Sequence, residues 1–237
     1  MSYPRLTKCL PNECRHNPYF HIHKALRLGH CRLLADLGAH DFSHDAGTRD
    51  LMKRLQSLIA LSRAHLDAES REIGMGLDAR RPSSAPVWNH DPAGHRHALA
   101  ELESLVRSVN VATPARRNIA GHALYRCFAL FAAADMEHMN SEETELLSTL
   151  HDLFTDEELS ASEVRMLASL PVETLLDCMC LMMPALNHQE RIVILSRLRS
   201  AMDGMVFDTL IETGVKPVLS PEESRAVLKG LGLLEAA

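Results

Sequence analysis

Twice in this chain a histidine on an apolar helical stripe is followed four residues later by a glutamate: His65 with Glu69, and His138 with Glu142. On an α-helix, positions i and i+4 lie one above the other on the same face. Each pair then offers an imidazole nitrogen and a carboxylate oxygen to one point in space. Two such helices facing each other in a bundle core can hold two divalent cations between them. The pattern therefore demands helix at both places and a fold that brings the two helices together.

The flanking periodicity supplies the helices. From Tyr19 to Leu37 the seam reads His23, Leu26, His30, Leu33 and Leu37, in steps of three and four, and Gly38 reads as a stop. A second helix carries Leu51, Leu55, Leu58, Ser62, His65 and Glu69, with Thr48 as its expected N-cap. Its pattern weakens at Gly74 and Gly76, and Pro82 to Pro86 reads as loop. A third helix starts near Pro92, with the seam His95, Leu99, Leu102, Val106 and Val109. The fourth starts between Thr113 and His122 and carries Leu124, Phe128, Phe131, Asp135, His138, Glu142 and Leu146. The polar residue three before each histidine, Ser62 or Asp135, is placed to orient an imidazole.

Connected up-down-up-down, these helices put His23, His65, His95 and His138 in one layer, because starts of odd helices and ends of even ones share an end. Fifteen residues separate His23 from Gly38 and seventeen separate Thr48 from His65, so the legs of the first hairpin nearly match. The second hairpin matches only if the fourth helix begins near Gly121-His122 or overhangs the bundle. There are fourteen histidines, so most serve elsewhere. His16, His40, His44, His122, His151 and His188 read as surface or satisfied core residues. His97 has Glu101 at i+4 but points roughly 160° away from His95, off the apolar stripe. Leu26 and Leu33 favour His23 over His21, and His30 lines the pocket. Burying two glutamates and several histidines on seams without a cation would cost several kcal/mol. The expected metal ligands are thus His23, His65, Glu69, His95, His138 and Glu142.

The remaining features are plainer. The formal charge is −6 with no Lys/Arg block, so neither nucleic acid nor a membrane surface is expected as a partner. The N-terminus lacks the apolar stretch of a signal peptide, and no apolar run approaches the ~20 residues of a membrane span. Six unevenly spaced cysteines do not form a disulfide framework, which points to a reducing cytoplasm. Cys31, Cys127, Cys178 and Cys180 read as free core thiols. Cys9 and Cys14 lie close together within an N-terminal arm, residues 1–17. Residues 18–153 form the expected bundle. Residues 154–237 read as a C-terminal helical extension that packs on the bundle or mediates homodimer contacts. Its helix starts are Thr155, Pro171, Asn187 and Ser220, and its Met179–Met183 stripe reads as core.

The order His23, His65-x-x-x-Glu69, His95, His138-x-x-x-Glu142 resembles the hemerythrin-like (HHE cation-binding) family. The stretches Ile22-His23-Lys24-Ala25-Leu26-Arg27, Leu77-Asp78-Ala79-Arg80-Arg81-Pro82 and Glu137-His138-Met139-Asn140-Ser141-Glu142-Glu143-Thr144 carry the same likeness. It covers about residues 18–153. It implies an all-α, up-down-up-down four-helix bundle around a non-haem di-iron centre, bridged by the two carboxylates and an oxo or hydroxo group. Four histidines and two glutamates resemble the variant found in iron-centre repair proteins; oxygen carriers have a further histidine where this chain has Leu99.

Three functions follow as expectations. The first is a di-iron protein that binds or senses oxygen or nitric oxide, or handles iron under oxidative or nitrosative stress. Nitrogen and carboxylate donors suit iron or manganese, with zinc possible. The second is a di-iron enzyme, a nitric oxide reductase or peroxidase-like protein or an iron donor in repair. The third is a regulatory bundle that its metal only stabilises. A Glu-x-x-His pair on each of two helices, as in the ferritin-like oxidases, is absent, as are a nucleophile elbow, a phosphate loop and a dinucleotide fingerprint.

Overall fold

The computed structural model describes residues 15–81 and 92–234, and these residues are all-α with no strand among them. The first helices are α1 (Phe20–Ala39), α2 (Asp45–Glu69), α3 (Met75–Arg80), α4 (Pro92–Val111), α5 (Pro114–Ser141) and α6 (Leu147–Leu153). Then come α7 (Asp156–Ala168), α8 (Val172–Ala185), α9 (His188–Ala201), α10 (Gly204–Thr209) and α11 (Pro221–Gly230). One turn of π-helix, Ser70–Gly74, joins α2 to α3, and another, Glu142–Leu146, joins α5 to α6. Each begins at or just after a glutamate of the repeated pair.

Helices α1 and α4 each pack against α2 and α5. The apolar seams meet inside: Leu26, Leu33, Leu55, Leu58, Leu99, Val106, Leu124 and Phe128 are all buried. Fully burying one such side chain stabilises the fold by about 1.5–3 kcal/mol, so these stripes outweigh any local propensity. Gly29 lets α1 approach α2 closely; a Cβ there would sit 2.8 Å from Leu58 Cδ1.

Several boundaries differ from the sequence reading. Helix α1 runs through Gly38 to Ala39, and a Cβ at Gly38 would lie 3.2 Å from the Tyr125 ring. The N-cap of α2 is His44, while the Thr48 hydroxyl bonds to the His44 carbonyl and to His40 Nε2. The second helix continues past Gly74 and Gly76 to Arg80 by way of its π-turn. Helix α5 begins at Pro114 and overhangs. Its first turns cover the α1–α2 connection, where Gly121 lies against the Phe42 ring and Arg117 pairs with Asp45. Of the four thiols expected in the core, Cys178 is buried and Cys180 half-buried, but Cys31 and Cys127 are exposed. The loop over 82–86, His90, Cys9 and Cys14 lie outside the described residues.

The C-terminal helices share this core. Helix α8 lies along α1 and α2, and its Cys178, Met179, Met182 and Met183 are fully buried, so the methionine stripe is core as expected. Helices α7, α9 and α11 start at capping boxes, Thr155 with Glu158, Asn187 with Glu190 and Ser220 with Glu223. Helix α7 packs against α2, its π-turn and α9. Among the described residues no single helix is long and apolar enough to cross a membrane. Helices α7 and α8 pass on composition only as a pair, and they bend by 117° between them.

Candidate metal centre

The two π-turns mark the level of the site. Glu69 closes α2 and Glu142 opens the π-turn after α5, and both are almost fully buried. Helix α1 contributes His23, with no exposed surface, and α4 contributes His95 from its first turn. His138 and Glu142 keep the expected i,i+4 contact, Nε2 to Oε1 at 3.1 Å. Across the core, His23 Nε2 lies 3.2 Å from Glu142 Oε2. The His65 ring meets His23 edge-on at 5.4 Å between centroids.

Two groups of donor atoms result. His23, His65 and Glu142 form one, and Glu69, His138 and Glu142 form the other; within each, the atoms lie within 4.8 Å of one another. Glu142 belongs to both, one oxygen facing His23 and the other His138. Five of the six expected ligands are therefore brought together in groups that can hold a metal ion. His95 lines the same pocket as His65, Glu69, His138 and Glu142, its ring 5.2 Å from that of His138, but it belongs to neither group. Its Nε2 lies 3.2 Å from Asp135 Oδ1. The pairs also divide differently from the sequence expectation. His65 and Glu69 do not serve one point: His65 turns to the His23 side and Glu69 to the His138 side.

A surrounding layer fixes the imidazoles. His23 Nδ1 donates to Glu143 Oε1 at 2.8 Å, which leaves Nε2 facing the site. Arg27 donates to both Glu143 oxygens, at 2.8 and 3.1 Å, and so holds that carboxylate in place. Asp135 accepts from His30 Nε2 at 2.6 Å and faces His95, so it serves α1 and α4. Ser62 is buried, and its hydroxyl makes no hydrogen bond among the described residues. Tyr19 is fully buried and stacks on His23 at 5.1 Å.

The electrostatics describe a site built for cations. Burial, then the neighbouring Glu142, pushes the Glu69 carboxyl well above its ordinary range. Burial, then Glu69 and Glu142, raises the Tyr19 hydroxyl, which faces Glu69. Burial, then His23, pushes His65 down to about 4, so it is a neutral donor at pH 7. Burial opposes a charge on His23, but hydrogen bonds to Glu142 and Glu143 outweigh it and raise the imidazole. Burial likewise opposes the charge on Asp135, but His30 and His95 hold that carboxyl below its ordinary value. Two buried carboxylates in mutual contact, ringed by imidazoles, are the donor chemistry that a divalent cation relieves. The residues fit a metal on that ground.

His97 is exposed and pairs with Glu101. His21 donates from Nδ1 to Glu163 Oε1 at 2.5 Å, and His16 and Arg197 reach Glu163 Oε2 at 3.1 and 3.0 Å. This buried carboxylate on α7 was missed, although a glutamate between Leu159 and Met166 on an apolar stripe is a readable signal. Tyr19 was also legible, as the i−4 neighbour of His23. Glu143 was not: on a regular α-helix it points about 100° away from Glu142, and only the packing of α1 lets His23 reach both, through Nε2 and Nδ1. No family model, curated protein or solved structure matches this chain.

Proposed function

We propose that this protein is a hemerythrin-like, non-haem di-iron protein that binds or senses a small diatomic, oxygen or nitric oxide. The observation that carries the reading is the pair of donor groups sharing Glu142. A carboxylate shared between two triads is the arrangement a dinuclear centre needs. The mutual packing of α1, α2, α4 and α5 supports an up-down-up-down four-helix bundle as the frame.

In this reading His23 and His65 would hold one ion and Glu69 and His138 the other, with Glu142 serving both. His95, which lines the same pocket, would complete the second site. Iron suits nitrogen and carboxylate donors without thiolate. Six side chains would leave positions open on two bound ions, where a small ligand could be held. Leu26, Leu66 and Met139 close the pocket with apolar walls that keep bulk water from it. Glu143, steadied by Arg27, fixes the His23 tautomer and raises its basicity as a ligand.

Elemental analysis with an optical spectrum, on anaerobically purified protein before and after air, tests the proposal. About two irons per chain are expected, in keeping with paired-carboxylate bundle sites. His65→Ala should lower the metal content toward one ion, and His97→Ala should leave it intact. One zinc, or no metal after reconstitution with ferrous iron, refutes the di-iron reading.

A further inference from the structure

Helix α2 shows two faces at the level of the site. Ser62, His65, Leu66 and Glu69 line the metal pocket. Leu61, His65 and Ala68, in steps of four and three, line a second pocket on the other side of the same turn. His65 belongs to both. The second pocket is closed by Ile22 of α1 and by Met166 and Leu167 of α7, with Leu170 just beyond α7 at its rim. Ile22, Leu61, Ala68, Met166 and Leu167 are buried, whereas Leu170 is half-buried.

This second pocket is small and its walls are almost wholly apolar. A water molecule needs two to four polar partners to settle in such a space. The one charged group in the lining, Glu163, has both oxygens engaged, by His21, His16 and Arg197. What such a pocket suits is a small uncharged molecule without hydrogen-bonding demands, held by dispersion contacts. Its inner wall is the ring of His65, whose other side lines the metal pocket.

We infer that the pocket between α1, α2 and α7 is a binding site for a small uncharged gas molecule, from which that molecule passes His65 to the metal centre. The second half of this inference rests on the proposed function; the first does not. Helix α7 thereby acquires a role: it supplies the outer wall of the gas site, and the Glu163 cluster ties that wall to the segment leading into α1.

The test uses the full chain and xenon, an uncharged probe that binds by dispersion. Crystals under xenon pressure, with and without metal, should show one atom between Ile22, Ala68 and Met166. Ala68→Leu, which adds bulk into the pocket, should exclude it. Absence of xenon there in the unaltered protein overturns the site, whatever the variant does. In protein loaded with ferrous iron, stopped-flow mixing with nitric oxide reads the route. Leu170→Trp at the rim should slow capture at least tenfold, and Leu130→Trp, on the exposed outer face of α5, should leave it unchanged. An unchanged rate in Leu170→Trp overturns the route. A chain that takes up no iron refutes the proposed function, and the xenon result still decides the pocket.

Discussion

Replacing Glu69 with glutamine should push the metal-free and metal-loaded protein in opposite directions. In the metal-free chain, Glu69 is almost fully buried with an oxygen within 4.8 Å of one from Glu142. Two unit charges at that separation repel by about 3.5 kcal/mol at an effective dielectric constant of about 20. The chain can avoid that repulsion by protonating Glu69. Taking a proton at pH 7 onto a carboxyl whose ordinary value is 4.5 costs about 3.4 kcal/mol, at 1.36 kcal/mol for each pH unit. Both routes put the penalty at about 3.5 kcal/mol, and glutamine removes it. Metal-free Glu69→Gln should therefore melt higher at pH 7, by up to roughly 10 °C for a chain of this size.

The sign carries a pH signature. The folded-state value of Glu69 is raised, so folded protein holds a proton that unfolded protein has lost above pH 4.5. Metal-free stability therefore falls as pH rises through that window, and the advantage of the variant should vanish near pH 4, where both states are protonated. With metal, the same substitution takes a donor from the Glu69, His138 and Glu142 group, so bound metal should fall by about half. Thermal melts at pH 4 and pH 7, with metal analysis of the same samples, measure both effects. A metal-free variant less stable than wild type at pH 7, or equally stabilised at both pH values, would falsify this account of the carboxylate pair.

Two further substitutions probe the frame. Glu163→Gln should cost about 1.5–3 kcal/mol at pH 7, the usual value of a hydrogen bond to a charged group. Burial opposes the Glu163 charge, but hydrogen bonds from His16 and His21 hold the carboxyl below its ordinary value of 4.5. Its contribution is thus complete above 4.5 and lost as pH falls through the depressed value, so urea melts of variant and wild type should converge in acid. A gap that stays constant down to pH 3 would count against the pairing. Gly121→Val places a Cβ 2.4 Å from the Phe42 ring and should destabilise by about 1–3 kcal/mol through overpacking. An unaltered melting temperature would mean that α5 does not rest on the α1–α2 connection.

Much of this was legible in the sequence because helical periodicity is a local property. The stripes through Leu26 and Leu33, Leu55 and Leu58, Leu99 and Val106, and Leu124 and Phe128 are all buried in the core. They carried the all-α class, the four long helices and the level of His23, His65, Glu69, His138 and Glu142. The capping boxes at Thr155, Asn187 and Ser220 were equally local, since each closes within three residues.

What the tertiary structure alone decided depends on contacts between distant segments. The π-turns after Glu69 and at Glu142 carry no sequence marker, and neither does the meeting of His23 with both Glu142 and Glu143. The assignment of Asp135 to His30 and His95, and of Glu163 to His16 and His21, required knowing which helices touch. The division of His65 and Glu69 between two donor groups arose from side-chain rotation against His23 and Tyr19, not from their shared helical face. Spacing along the chain determined which residues reach the same depth. Packing between helices determined which atoms meet there, because a donor's direction is set by its neighbours and not by its position in the sequence.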